Sequence, residues 1–140
     1  MSWWGKYIGA PYRDFGRDMS GLDCWGLVRL VFAQEMKIDL PEFAEIAPKD
    51  LRRVATAMID GRDVGPWRAV DADPRPFDVL VANSRIGGRL PGHVGVMVDA
   101  GHVLHVWRAT NACVMPLAHD FLRGRVLGVQ RHIAVSLIDA

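Results

Sequence analysis

The fold turns on Gly92-His93-Val94-Gly95-Val96-Met97-Val98-Asp99-Ala100-Gly101-His102-Val103-Leu104-His105-Val106-Trp107. Two alternating runs flank Asp99-Ala100-Gly101-His102, a turn signal, so the stretch predicts a β-hairpin. If Val98 pairs with His102, the odd-numbered residues of both strands share a face. His93, Gly95, His105 and Trp107 then line one side. Val94, Val96, Val98, Leu104 and Val106 form the core side. A one-residue slip would bury His105 and expose Leu104, so the apolar pattern specifies this register.

The chain changes character on either side of the hairpin. Downstream, Ala112–Leu117 and Leu127–Ile133 read as further strands. Upstream, Phe77–Ala82 is a strand and Gly87–Gly92 a flexible loop entering the His93 strand. Gly65–Pro76 holds three prolines and reads as a connection. Before it the period becomes helical. Leu51, Val54, Ala55 and Met58 share a helix face that opens near Asp50 and stops at Gly61. Trp25, Val28, Val31 or Phe32, and Met36 recur at helix spacing, which predicts a helix over 24–36. Asp23 stands at its N-cap and Pro41 beyond its end. Residues 7–23 read as a loop. Helices followed by antiparallel strands make an α+β domain.

With 140 residues, half of them apolar, the chain suits a single domain over 1–140. A net charge of +1 gives no footprint for nucleic acid. The start, Met1-Ser2-Trp3-Trp4-Gly5-Lys6, has no basic region followed by an apolar run. No signal peptide and no membrane insertion are expected, so synthesis in the cytoplasm is. Cys24 and Cys113 are too few for a disulfide scaffold, though a single bridge between them stays open.

Cys24 falls in the first turn of the predicted helix, where unpaired N–H groups and the positive dipole end favour a thiolate. Gly21 and Gly26 thin the backbone around it. His93 opens its strand, Gly95 leaves space beside it, and His105 lies on the same face. Cys24, His93 and His105 thus supply a nucleophile, a base and a group that orients the base. The cysteine helix must then pack against the polar face near His93. The Cys and His spacing matches no zinc pattern, so neither metal nor cofactor is expected. Cys113 reads as a buried structural thiol, and His102, His119 and His132 receive no role.

Gly21-Leu22-Asp23-Cys24-Trp25-Gly26-Leu27-Val28, preceded by Tyr7-Ile8-Gly9-Ala10-Pro11-Tyr12, resembles the NlpC family of cell-wall cysteine peptidases. Gly92-His93-Val94-Gly95-Val96, with His105 twelve residues after His93, is similar to the same family's base strand and third catalytic position. The resemblance implies a reduced papain-like fold, with the nucleophile helix packed on a five- to six-stranded antiparallel sheet. It implies hydrolysis of a peptidoglycan stem-peptide amide, usually that between γ-D-glutamate and meso-diaminopimelate. Cys24, His93 and His105 would be catalytic. Tyr12, Asp23 and Trp25 would contribute to the oxyanion or substrate surroundings. Two departures stand out. Trp25 replaces the serine that many cellular members carry after the nucleophile, and Phe77-Asp78 stands where Gly-Asp is usual.

Asp23-Cys24-Trp25-Gly26-Leu27-Val28 resembles the version found in phage tails and gene transfer agents. A wall hydrolase read without a signal peptide or a glycan-binding domain needs a carrier. The expected partner is a tail-tip or baseplate hub protein of a phage-like particle acting in the periplasm and cell wall. Trp3, Trp4, Trp67 and Trp107 are candidate docking anchors, with core packing as the alternative. Two other readings stay open: a structural tail-tip adaptor or plug with little activity, and an amidase of the same superfamily.

Overall fold

The computed structural model describes residues 2–41, 65–83 and 91–138. The helix expected over Asp50–Gly61 lies outside them, as does most of the Gly87–Gly92 loop. A short 3-10 turn, Gly5–Tyr7, leads to a small ladder of β1 (Arg17–Asp18) and β2 (Gly21–Leu22). Helix α1 (Cys24–Met36) follows. Next come β3 (Trp67–Ala69), β4 (Val79–Asn83), β5 (Pro91–Asp99), β6 (His102–Trp107), β7 (Thr110–Pro116) and β8 (Val126–His132). Helix α2 (Ile133–Ile138) follows β8 directly.

Local chemistry sets both ends of α1. The Asp23 carboxylate accepts the Gly26 N–H at 2.6 Å, capping donors that the helix cannot satisfy itself. Arg17 holds that carboxylate at 2.7 Å. At the other end Lys37 turns left-handed at φ 57°, and the Lys37 and Ile38 N–H groups return to the Phe32 carbonyl. Gly26 is required for packing, because a Cβ there would lie 2.0 Å from the Gly16 carbonyl oxygen.

Strands β3 to β8 form one antiparallel sheet in the order β3-β8-β4-β5-β6-β7. The hairpin pairs Val96 with Leu104 and Met97 with Val103, the register that its apolar pattern specifies. At the turn, however, Asp99 rather than Val98 pairs with His102, across a bulge. The Asp99 carboxylate explains this. It accepts the Gly101 N–H at 2.8 Å and contacts His102 Nδ1 at 2.9 Å, closing the turn on itself. Strand β3 appears where the sequence reads as a connection. Its three residues pair with the end of β8 and bury Trp67, a tertiary contact that the proline-rich flanks do not signal.

Both faces of the sheet are buried. On one, Leu27, Val28, Val31 and Phe32 of α1 meet Val79, Val96, Val98, Leu104 and Val106. On the other, Leu80, Ala82, Met97, Val103 and Met115 are covered by Leu122 from the 117–125 segment. This corrects the expected placement of α1. The helix packs on the apolar face, not on the face that carries His93 and His105, because its own apolar stripe finds matching surface only there. The aromatic residues of the N-terminus also pack inward. Trp3 stacks on Phe77 at 4.4 Å between centroids, and Trp3 and Trp4 lie against the helix-side core. Phe77 has φ 73°, the left-handed backbone that the glycine of the resemblance would adopt freely.

Candidate active site

The thiol of Cys24 sits where the start of α1 meets β5. The residue keeps part of its surface exposed. Burial pushes its thiol up, opposed by N–H groups of Val94, Trp25 and Cys24 itself, while the Asp23 charge adds to the rise. The helix start therefore does supply donors, as its position predicts, yet desolvation outweighs them and the resting thiol is protonated at neutral pH. Contact with the Val94 N–H places the sulfur beside the strand residue that follows His93.

His93 and His105 face each other across β5 and β6. His93 Nε2 and His105 Nδ1 are 2.8 Å apart, and the two residues are only 6% and 0% exposed. Gly95 makes this possible: a Cβ there would come within 2.6 Å of Val103 Cγ2 and 3.1 Å of His105 Cβ. Burial lowers His93 to about 3, helped by the charges of His105 and Arg125. Burial also lowers His105 to about 4, helped by His119 and Arg125. Both rings are thus neutral at pH 7, which fixes the proton accounting. If His93 Nδ1 is free to accept a proton, its Nε2–H donates to His105 Nδ1. His105 must then carry its own proton on Nε2, a buried atom with no hydrogen-bond partner. The direct bond in the site joins the two imidazoles; Cys24 Sγ engages backbone N–H groups instead.

The pattern of the NlpC/P60 family matches residues 9–131. The chain belongs to this family. It is 29% identical over 127 residues to the gamma-DL-glutamyl hydrolase of Bacillus subtilis, covering 90% of this chain and 27% of that protein. It is 28% identical over 107 residues to Protein P54 of Enterococcus faecium, covering 71% and 16% respectively. The chain thus spans about a quarter or less of the curated relatives it matches. An NlpC/P60 family protein from Bacillus cereus superposes with a TM-score of 0.66 at 20% identity, over 91% of this chain and 37% of that one. The NlpC/p60 domain of the peptidoglycan hydrolase SagA gives 0.57 at 23% identity, over 89% and 88%. These likenesses show the fold: an NlpC/P60 α+β domain with a six-stranded antiparallel sheet.

The other residues singled out in this NlpC/P60 chain have partners of their own. Tyr12 bridges to Leu22 through the backbone, and its hydroxyl donates to Asp14 at 2.8 Å. Asp23 is occupied as a cap: besides Gly26 and Arg17 it accepts the Phe15 N–H at 3.1 Å. Trp25 Nε1 donates to the Pro41 carbonyl at 3.1 Å. Cys113 is free, half-buried and paired with His105 in the β6–β7 register, so the bridge to Cys24 is not formed.

Sequence reasoning missed the roof. Phe121 contacts the His93 and His105 rings at 5.8 and 5.5 Å between centroids, and Arg125 acts on both through its charge. Neither residue lies in a periodic run, and the only local hint was an aromatic residue in a late loop.

Proposed function

We propose that this NlpC/P60 chain is a cysteine endopeptidase that hydrolyses an amide of the peptidoglycan stem peptide. The observation that carries this is the 2.8 Å imidazole pair beside a helix-start thiol. Cys24 Sγ attacks the scissile carbonyl as His93 takes the thiol proton. The developing oxyanion is met by the Cys24 backbone N–H. His93 returns the proton to the leaving amine as the C–N bond breaks. Water, deprotonated by His93, then cleaves the thioester. His105 orients His93 and selects its tautomer.

The bond we favour joins γ-D-glutamate to meso-diaminopimelate. In support, the Bacillus subtilis relative is named for a γ-glutamyl linkage. Tyr12, Asp23 and Trp25 border the start of α1 and would contact the donor side of the substrate. For delivery, the Asp23-Cys24-Trp25 pattern favours a tail-tip component of a phage-like particle that opens the wall for DNA entry. No described helix is long and apolar enough to cross a membrane.

Digestion of purified peptidoglycan, with products identified by mass spectrometry, tests the chemistry. Wild type should generate new amino termini at diaminopimelate. Cys24→Ala should lose at least about a thousandfold in rate. Absence of products from wild type would favour the adaptor or plug. The carrier is tested separately, by co-sedimentation with tail-tip or baseplate proteins; failure to associate removes that part alone.

A further inference from the structure

The roof over the imidazoles holds a charge with no counter-ion among the described residues. Phe121 has the Trp107 ring at 4.2 Å between centroids and the Arg125 guanidinium at 4.4 Å. Arg125 Nη2 donates to the Asn83 carbonyl at 2.9 Å, and Nη1 to the Phe121 carbonyl at 3.3 Å. Its Nε–H is buried with no partner. Carbonyls position the guanidinium but neutralise nothing. Among the described residues no carboxylate pairs with it, and the nearby Asp120 is taken by Arg123 at 3.1 Å. Asn83 pairs with Pro91 and Ala82 with His93, so Arg125 is fastened to the same end of the β4–β5 pair as His93.

A half-buried cation without an anion is costly. Here it also opposes catalysis, because its field acts on both imidazoles and resists the positive charge that His93 must acquire. An anion docked on Arg125 would offset both penalties. Two of the five guanidinium N–H groups are spent on carbonyls, and Nη hydrogens remain for a carboxylate.

We propose that Arg125 anchors a free carboxylate of the substrate beside the scissile carbonyl. A γ-linked glutamyl residue offers one, since its amide uses the side chain and leaves the α-carboxylate free a few bonds away. Diaminopimelate offers another on the leaving side. The proposal rests on the hydrolase reading above and names the substrate feature that the site selects.

The test uses the full chain and three synthetic tripeptides: L-Ala-γ-D-Glu-meso-diaminopimelate, its α-carboxamide at glutamate, and its carboxamide at diaminopimelate. Turnover and KM are read by liquid chromatography with mass spectrometry. Wild type should prefer the acid over one of the two amides by about ten- to a hundredfold in kcat/KM, mainly through KM. The amide that loses identifies which carboxylate is held. Arg125→Gln should bring that ratio towards one, and Arg125→Lys should keep part of it. A ratio unchanged in Arg125→Gln overturns the proposal, as does an equal loss on all three peptides, which would mean a structural role only. If wild type cleaves none of them, the hydrolase reading fails on its own. Binding to Cys24→Ala by calorimetry then decides the anchor: Arg125-dependent preference for the acid supports it, and equal binding of acid and amides overturns it.

Discussion

The two buried faces of the sheet are built from different materials. The face under α1 is mainly apolar, with Leu27, Val28, Val31 and Phe32 closing over Val96, Leu104 and Val106 and with Gln130 and His132 of β8 adding buried polar groups. The face under the 117–125 roof mixes Leu80, Met97 and Leu122 with His93, His105 and Arg125. Three buried nitrogens without hydrogen-bond partners lie on this side: His105 Nε2, Trp107 Nε1 and Arg125 Nε. Native interiors rarely leave such groups unpaired, and exceptions concentrate where chemistry or a ligand needs them. One face therefore carries stability, and the other sacrifices some of it for a poised pair of imidazoles.

Truncation on the helix side should have the largest effect on stability. Phe32→Ala removes a fully buried ring and should cost about 3–5 kcal/mol in denaturant unfolding. A cost below about 1 kcal/mol would mean that the helix face is not the stabilising one.

Acid should strike the roof side. Both imidazoles titrate below the usual 6.5 in the folded chain, so protonation favours the unfolded chain. Their contribution is complete above about pH 6.5. It is lost as pH falls towards about 4 for His105 and about 3 for His93. At about 1.4 kcal/mol per pKa unit, the loss should reach roughly 4 kcal/mol if half of each depression is realised. Unfolding curves at pH 7, 5 and 4 measure it. His105→Ala should flatten that dependence and lower turnover about tenfold to a hundredfold while leaving residual hydrolysis. Full turnover in this variant would remove His105 from the site.

The smallest effect belongs to the helix end. Lys37 is exposed and left-handed, so Lys37→Gly should add about 0.5–1 kcal/mol without touching catalysis. A loss of activity in that variant would couple the two faces in a way that their separate cores do not suggest.

What the sequence determined alone was local. The 3.6-residue period and the Asp23 cap specify a helix over 24–36, and the structure places α1 at Cys24–Met36. Period-two alternation specifies β4 to β8 within a residue or two at most ends, and it sets the Val96–Leu104 register that puts His93 and His105 on one face. These features are legible because side-chain direction follows from backbone geometry and capping from a few adjacent residues. Three things were decided only by tertiary structure. Strand β3 exists because Trp67 finds β8, far along the chain. The bulge at Asp99 arises from a carboxylate that closes its own turn. Above all, the face carrying the histidines lies under a roof and not under α1, which lowers both imidazoles and sets Arg125, bonded to carbonyls, beside them. Alternation can say that two side chains share a face. It cannot say which distant segment covers that face, because that choice is made by matching apolar surface across the whole fold, and the coverage sets the charge state of the site.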